Sequence, residues 1–349
     1  MPVHNPFEFF IQLHLTERCN LKCTHCYQNE GMTNEMSLPE IASVVEETAE
    51  MLEGWKEAYD IGTTSSFNVT GGEPFLRQDI FEVLEEIKTG GFATYILTNG
   101  LLVDRSRANR LAGIGVKGVQ VSIEGPEHIH DSIRGAGSFA GSLKGIRHIA
   151  DAGIEVTLNT TLSGVNARYF PEVIDLASSL KVQRLGFSRL VPSGSGRKLL
   201  NMMLDRGELK VLYQDIFSRE TGNLRLVTGD PVASQFRAPA EEDSRDAWPS
   251  GGCAAGVSGL TILPDGTITP CRRLPVPIGN VRQDSLREIW ATSDVLNSLR
   301  DKSQYQGKCG NCGKWSGCRG CRAIAYAYSQ ANGKGECLTE DPQCFIGDV

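Results

Sequence analysis

Short apolar runs alternate with amphipathic segments from residue 8 to about residue 190. The runs predict six short buried strands, with the sequences FFIQLHLT, SFNVTGG, TYILTNG, GVQVSIEG, EVTLNTTL and RLGFSRLV. Between them, apolar residues recur at i, i+3 and i+4, which predicts helices that pack on a sheet. Six strand–helix repeats with right-handed crossovers predict a parallel sheet that curls into a barrel. Because closure needs eight units, we expect a partial (β/α)6 barrel that is open on one side.

The helices are predicted by their starts as well as by their periodicity. Ser37-Leu38-Pro39-Glu40 is a capping box with proline in the first turn, and it precedes the apolar positions Ile41 and Val44. The same periodicity predicts helices near 80–88, 139–146 and 170–177, and a helical stretch near 205–219.

A change of composition near 235–250 predicts a domain boundary. The polar segment APAEEDSRDAWPSGG lies there, and it divides the chain into residues 1–235 and 236–349. The second part opens with two β-rich runs around Pro264-Asp265-Gly266, which predict a hairpin. One helix (SLREIWATSDVLNSLRD) and a compact cysteine-rich coil follow. The predicted fold class is therefore α/β, a partial barrel followed by a small cysteine-rich α+β domain.

Composition and charge narrow the possible partners. The 349 residues carry a net charge of −7 and no basic tract, which argues against a nucleic-acid partner. The N-terminus lacks the layout of a signal peptide, and no apolar run is long enough to cross a bilayer. We therefore expect a cytoplasmic protein without a membrane partner.

The distribution of the eleven cysteines indicates metal centres. Three lie in the first 26 residues, and the other eight lie between Cys253 and Cys344. A disulfide framework is not expected in the reducing cytoplasm. Cysteines that cluster in this way are typical of ligands, so at least two metal centres are expected.

The first cluster has the spacing Cys19-x3-Cys23-x2-Cys26. A structural zinc site needs four ligands, and His25 inside the triad cannot easily face the same metal as its neighbours. His14 on the first strand is a possible fourth ligand, although a packed histidine is the expected interpretation. An iron–sulfur cluster fits better, because three thiolates leave one iron open to an external ligand. Zinc or unliganded thiols remain the alternative.

Further polar or glycine residues lie where the predicted strands end. The second strand ends in Thr70-Gly71-Gly72-Glu73-Pro74. A glycine pair there allows the backbone to approach a ligand closely, and Glu73 supplies a carboxylate for an ammonium group. The alternative is a turn that leads into the helix at 80–88.

The segment ERCNLKCTHCYQ resembles the signature of the radical S-adenosylmethionine (SAM) enzymes, in which an aromatic residue, here Tyr27, follows the last cysteine. The resemblance implies a [4Fe–4S] cluster at Cys19, Cys23 and Cys26 whose open iron is chelated by SAM. Reductive cleavage of SAM then releases a 5′-deoxyadenosyl radical, with a flavodoxin- or ferredoxin-type protein as reductant.

The resemblance also implies the residues that contact SAM. In the family, a GGEP motif binds the methionine amino group, a serine like Ser122 contacts ribose and carboxylate, and an acid near Glu124 is more often aspartate. Arg134 is expected to contact the methionine carboxylate and Asn159 the ribose, unless they form a rim salt bridge or a strand-end hydrogen bond. The predicted contacts are Tyr27, Gly71, Gly72, Glu73, Pro74, Asn99, Ser122, Arg134, Asn159 and Arg189.

The C-terminal cysteines include two C-x2-C pairs, which on their own favour zinc. Behind a radical SAM barrel, they resemble the SPASM domain and imply one or two auxiliary iron–sulfur clusters. The family spacing is C-x2-C-x5-C-x3-C, so the two residues between Cys318 and Cys321 depart from it. The farther cluster is then assigned to Cys309, Cys312, Cys318 and Cys344, and the nearer one to Cys253, Cys271 and Cys321. Cys337 either completes the nearer set or is a free thiol.

The resemblance limits the reaction to a few classes. Related enzymes act on peptides, proteins or small cofactor precursors, and we favour peptide or protein maturation. Because the first strand begins near residue 8, a leader-peptide-binding protein would be separate, or the substrate would be a small molecule. Side-chain removal or decarboxylation of a haem precursor is the main alternative, and sulfatase-type formylglycine formation is less favoured. A non-catalytic electron carrier or zinc adaptor is the alternative of another class. No catalytic acid or base is identified.

Overall fold

The computed structural model describes residues 7–28, 34–236 and 247–346. Its strands are β1 (Phe7–His14), β2 (Thr63–Thr70), β3 (Ala93–Thr98), β4 (Gly118–Ser122), β5 (Glu155–Leu162), β6 (Arg184–Arg189), β7 (Arg225–Val227), β8 (Gly259–Ile262), β9 (Thr267–Thr269) and β10 (Gly279–Asn280). Its α-helices are α1 (Leu38–Tyr59), α2 (Ile80–Thr89), α3 (Arg105–Ile114), α4 (Glu127–Arg134), α5 (Ser138–Asp151), α6 (Phe170–Ser179), α7 (Arg206–Ser218), α8 (Leu286–Thr292), α9 (Asp294–Arg300), α10 (Gly307–Gly310) and α11 (Arg322–Ala331).

One sheet runs through the described residues, in the order β10-β9-β8-β1-β2-β3-β4-β5-β6-β7. Strands β1 to β7 are parallel and neighbour each other in chain order, as successive β-α units require. The predicted α/β class and all six predicted strands are confirmed. Strand β7 was not predicted, because its three residues are too short for a periodic signal.

The two faces of these strands differ in polarity. In β4 and β5, Val119 and Leu158 belong to the buried apolar core, while Gln120 and Asn159 line a cavity inside the barrel. Successive side chains point to opposite faces of a strand, so this alternation gives an apolar outer layer and a polar interior. In these two strands the outer face is therefore apolar and buried, and the inner face is polar and only partly buried.

The predicted helices are confirmed with one exception. Helix α1 begins with the capping box, in which the Ser37 side chain accepts a hydrogen bond from the Glu40 backbone N–H. Helices α3, α4, α10 and α11 were not predicted, and the last two lie in the stretch that was expected to be a cysteine-rich coil. The single helix predicted for residues 285–301 is wrong, because Ser293 is extended (φ −60°, ψ 120°) and caps α9 by accepting from the Leu296 N–H. The preference of serine for the N-cap position separates α8 from α9 here.

The predicted hairpin is formed by β8 and β9, which pair antiparallel. Strand β8 also pairs in parallel with β1, in the register Phe10 to Gly259 and Leu13 to Ile262. The cysteine-rich part is thus hydrogen-bonded to the first strand of the barrel. The boundary at 235/236 lies beside residues outside the described ranges and stays a prediction.

None of the helices in the described ranges combines the length and the apolar composition that crossing a bilayer requires.

Candidate functional site

A cavity of about 990 Å³ lies at the carboxyl ends of the barrel strands. Its wall contains eleven of the residues predicted from the sequence: Cys19, Cys23, Cys26, Tyr27, Gly71, Gly72, Asn99, Ser122, Arg134, Asn159 and Arg189. They come from separate segments of the first 190 residues, and the parallel topology brings them together because the carboxyl ends of the strands meet at one edge.

The three N-terminal thiols share this wall. The Leu21 N–H donates to Cys19 Sγ (3.4 Å), and Arg134 Nη1 donates to Cys23 Sγ (3.9 Å). Burial raises the pKa of Cys19, and it raises the pKa of Cys23 to about 11. Iron must therefore displace protons from these thiols, and the N–H donors favour the thiolates that result. The residues present fit a cluster held by three cysteines.

The glycine pair packs against the chain's own backbone. A Cβ on Gly72 would lie 2.4 Å from the Arg18 carbonyl oxygen, and one on Gly71 would lie 2.5 Å from the Thr16 carbonyl oxygen. The Gly72 N–H donates to Thr16 O (2.7 Å). Glycine is required here because the GGEP loop lies directly on the segment that leads into Cys19.

Glu73 lies behind the cavity wall. Its buried carboxylate accepts hydrogen bonds from Thr98 Oγ1 (2.7 Å), the Asn99 N–H (2.9 Å) and the Phe75 N–H (3.3 Å). Burial raises the pKa of Glu73 to about 7, although these three donors oppose the shift. The carboxylate thus orders the turn after β3. Its predicted contact with an ammonium group, like the predicted contact of the buried Pro74, stays a prediction.

Replacing Glu73 with Gln should make the stability of the cluster-free chain less dependent on pH. The folded-state pKa of about 7 exceeds the ordinary value of 4.5, so stability from this group is complete below pH 4.5 and is lost as the pH rises through 7. The loss is about 3 kcal/mol. Urea unfolding at about pH 5 and about pH 8 should show a smaller difference for the variant than for the wild type.

The exposed Glu85 on the following helix provides the matched control. Glu85→Gln should keep the wild-type pH dependence. An unchanged pH dependence in Glu73→Gln would contradict the assignment.

A buried ion network holds the loop of the cysteine triad. Glu124 Oε1 accepts from Arg134 Nε (3.0 Å) and Nη2 (2.5 Å) and lies 3.4 Å from His25 Nε2, while Oε2 accepts from the Thr161 N–H (2.8 Å). Burial alone would raise the pKa of Glu124, but Arg134 and His25 outweigh it and hold the pKa well below its usual range. Arg134 therefore makes a salt bridge, the alternative given for it above, but the pair is buried and does not lie on the rim. Its Nη1 still donates to Cys23 Sγ. Its contact with the methionine carboxylate stays a prediction.

The remaining predicted strand-end residues lie on the same wall. Asn99 Nδ2 donates to Asn20 Oδ1 (2.8 Å), which ties the end of β3 to the triad loop. Ser122 and Asn159 are paired in register across β4 and β5, and both side chains line the cavity. Their contacts with SAM stay predictions.

Arg189 has a structural role that the sequence did not predict. All five N–H groups of its guanidinium donate within the protein, to Asp230 (2.6 and 2.8 Å), Asp341 (2.7 and 2.9 Å) and Gln343 (3.0 Å). Asp341 also accepts from the Cys321 N–H (2.7 Å). Arg189 thus fastens the C-terminal segment to the end of β6, and its predicted contact with SAM stays a prediction.

A second cavity, of about 930 Å³, is lined by Cys253, Cys271 and Cys321. It shares four residues with the first cavity: Leu97, Gln120, Arg272 and Arg273. The three cysteines assigned to the nearer auxiliary cluster therefore face the same interior as the N-terminal triad. Burial raises the pKa of Cys321 to about 12, so this thiol too must lose its proton to bind iron.

A third cavity, of about 380 Å³, is lined by all four cysteines assigned to the farther cluster. Each sulfur accepts an N–H: Cys309 from Arg322 Nη2 (3.7 Å), Cys312 from the Lys314 N–H (3.4 Å), Cys318 from the Gly320 N–H (3.4 Å) and Cys344 from Gln235 Nε2 (3.4 Å). Hydrogen bonds to the sulfurs of cysteine ligands are typical of iron–sulfur sites. The residues present fit such a cluster.

Cys337 lies outside the walls of the second and third cavities but packs against the residues around Cys321. Its backbone carbonyl accepts from Arg322 Nη1 (2.9 Å). Whether it is a ligand stays a prediction. Across the described ranges, no three His, Cys, Asp or Glu side chains converge closely enough to hold a single metal ion. The cysteine sets line cavities instead, as ligands that each bind a different iron do.

Several residues of the walls were not identified from the sequence. Gln28 Nε2 donates to the Gly71 carbonyl oxygen (2.9 Å), and Gln120 lies between the first two cavities. The pair Arg272-Arg273 lies there as well. Its position directly after Cys271 was the only available signal.

Comparison with known proteins covers both parts of the chain. The model of the radical SAM superfamily matches residues 13–177, and that of the SPASM iron–sulfur cluster-binding domain matches residues 253–313. The AdoMet-dependent heme synthase of Nitratidesulfovibrio vulgaris is 29% identical over 346 residues, covering 95% of this chain and 90% of that protein. The PqqA peptide cyclase of Rhizobium meliloti is 27% identical, covering 95% and 85%. The crystal structure of Streptococcus suis SuiB bound to precursor peptide SuiA superposes with a TM-score of 0.74 at 19% identity, covering 98% of this chain and 76% of that chain.

Proposed function

Because the chain belongs to the radical SAM superfamily and carries a SPASM domain, we propose that it takes a hydrogen atom from a haem precursor bound inside the barrel. The predicted family and the prediction of an enzyme are confirmed, and the family binds a [4Fe–4S] cluster and SAM. The observation that carries the proposal is the shared interior, where Leu97, Gln120, Arg272 and Arg273 belong to both the first and the second cavity.

The first cavity is proposed to hold the radical source. Cys19, Cys23 and Cys26 would bind three irons, and the cluster and SAM, when bound, supply a 5′-deoxyadenosyl radical. Gly72, Ser122 and Asn159 would form the wall against SAM. The Glu124–Arg134 pair keeps the triad loop in place, and the Arg134 guanidinium donates to Cys23 Sγ.

The two C-terminal cysteine sets are proposed to hold two auxiliary clusters. Cys253, Cys271 and Cys321 lie on the wall that the substrate would face, and the other four cysteines enclose the third cavity. A propionate side chain that loses a hydrogen atom, carbon dioxide and one electron becomes a vinyl group. The reaction therefore needs a one-electron acceptor. A cluster bound by Cys253, Cys271 and Cys321 would lie beside the substrate and would accept this electron.

A haem precursor is favoured over a peptide because of the named relatives. The heme synthase matches nearly its whole length and nearly all of this chain, and a pre-heme d1 synthase and an Fe-coproporphyrin III synthase also match. Peptide maturation is the second candidate, since the PqqA peptide cyclase and a mycofactocin maturase match 95% of this chain.

Anaerobic turnover assays test the proposal. The reconstituted enzyme is given SAM and dithionite, with iron coproporphyrin III, a peptide or no substrate. The porphyrin should raise 5′-deoxyadenosine formation above the level without substrate and should lose carbon dioxide and two hydrogens from a side chain, as read by mass spectrometry. Stimulation by a peptide and not by the porphyrin would replace the first candidate with the second.

A further inference from the structure

Two adjacent arginines occupy the junction of the first two cavities. Arg272 and Arg273 follow Cys271 and line both cavities, so their side chains border the proposed substrate space from the side of the nearer cysteine set. The Arg272 guanidinium carbon lies 5.9 Å from the centre of the Tyr27 ring, on the side of the N-terminal triad.

Neither arginine has a carboxylate partner. Within the described ranges, no Asp or Glu oxygen lies within 4.0 Å of either guanidinium. Arg273 Nη1 donates weakly to the Arg189 carbonyl oxygen (3.4 Å), and its Nε is buried without a partner. Arg273 therefore makes only one weak hydrogen bond with the described part of the protein.

The other two arginines in the wall of the first cavity do have carboxylate partners. Arg134 is paired with Glu124, and Arg189 is saturated by Asp230 and Asp341. A buried guanidinium without an anion is costly, which explains why those two are paired. At the junction, the charges that act on Arg273 come from Cys321, Cys271 and, beyond 4.0 Å, Asp230. Because no carboxylate of the described residues contacts either arginine, both are free to pair with one that a ligand brings.

We propose that Arg272 and Arg273 bind a carboxylate of the substrate and thereby position it between the two cysteine sets. This inference depends on the proposed function in one respect only, which is that the substrate lies inside the barrel. A planar guanidinium matches a carboxylate with two parallel hydrogen bonds, and in a partly buried site such bonds are stronger than in water. The chain as a whole carries a charge of −7, so this local positive charge is also what attracts an anionic substrate into the barrel.

The test compares matched charged and neutral probes. The anaerobic, reconstituted enzyme is titrated with coproporphyrin III and with its tetramethyl ester, which has the same ring without the charges, and binding is followed by porphyrin absorption. The variants are Arg272→Gln and the double variant Arg272→Gln/Arg273→Gln. The matched control is Arg105→Gln, which removes an exposed arginine on α3. Iron content and SAM binding by equilibrium dialysis are measured for every protein.

The double variant should weaken binding of the acid by roughly tenfold to a hundredfold and leave binding of the ester within about twofold. Arg272→Gln, which keeps Arg273, should show a smaller loss with the wild-type iron content. Equal losses for acid and ester, or a loss of SAM binding as large as the loss of porphyrin binding, would overturn the anion site.

A peptide arm separates this inference from the proposed function. A peptide with a free C-terminal carboxylate is compared with its amide. If the wild type ignores both porphyrins but prefers the free acid peptide, and the double variant loses that preference, the haem-precursor proposal fails and the anion site stands. If no carboxylate probe binds in an arginine-dependent way, the anion site itself is wrong.

Discussion

Replacing Cys19, Cys23 and Cys26 together with Ala should reduce 5′-deoxyadenosine formation to the background of the assay. The three thiols line one cavity with the predicted SAM contacts, and N–H groups already point at two of the sulfurs. Without thiolates no iron is held there, so neither SAM chelation nor its reductive cleavage has a site. The measurement is anaerobic product formation with dithionite, together with iron and sulfide analysis of the reconstituted protein.

The C-terminal cysteines supply the comparison for this experiment. Cys344→Ala removes a thiol from the wall of the third cavity, so it should lower the iron content too. The reduced enzyme should nevertheless still show an electron paramagnetic resonance signal that changes when SAM is added. The triple variant should show no such change. If Cys344→Ala loses the SAM-dependent change and the triple variant keeps it, the roles of the two sites have been assigned in reverse.

Replacing Arg189 with Met should destabilise the chain by roughly 3–5 kcal/mol, the cost typical of removing one partner from a buried ion pair. The side chain is fully buried, and it is held by two buried carboxylates, Asp230 and Asp341. Without the guanidinium, those carboxylates face each other with no cation between them. Urea unfolding of the cluster-free wild type and variant gives the free energies to compare.

The loss of stability caused by Arg189→Met should be smaller at low pH. In the wild type, burial would raise the pKa of Asp341, but Arg189 outweighs it and lowers the pKa, so this group stabilises the fold above its ordinary pKa of 3.8 and the contribution disappears as the pH falls below it. In the variant, burial without the cation raises the pKa of Asp341 instead, so protonation of this carboxylate at low pH stabilises the fold. The difference in free energy of unfolding between the wild type and the variant should therefore narrow towards pH 4.

Asp341→Asn is the matched variant for this network. It leaves the Arg189–Asp230 pair intact and neutral, so it should cost less than Arg189→Met. Limited proteolysis adds a local readout, because Asp341 also accepts from the Cys321 N–H and so fixes the segment that carries Cys344. An Arg189→Met protein as stable as the wild type would show that the network is dispensable.

The parts of the site that local patterns encode were predicted from the sequence. Strand β5 and the capping box at Ser37 are set by residues a few positions apart, and the structure agrees with both. The resemblance divided the C-terminal cysteines into two sets, and each set lines its own cavity. The helix predicted through Ser293 failed because periodicity does not register a capping side chain.

The contacts that were not predicted join different segments of the chain, 152 positions apart in one case and 10 in the other. Arg189 pairs with Asp341, and Arg134 at the end of α4 pairs with Glu124, which precedes that helix. Both arginines were assigned to SAM because of their positions at strand and helix ends. A strand-end position shows that a side chain reaches the edge of the sheet but not which neighbour satisfies its charge. That depends on loop geometry, which hydrophobic periodicity does not encode.

The pairing of β8 with β1 has a consequence during synthesis of the chain. Phe10 leaves the ribosome long before Gly259, its partner across the sheet, so the nascent barrel keeps one bare edge until most of the polypeptide has been made. Such a late, distant pairing slows folding, and the exposed edge invites association between unfinished copies. Chains cut short before β8 should therefore be prone to aggregate, and holdase chaperones would be expected to protect them.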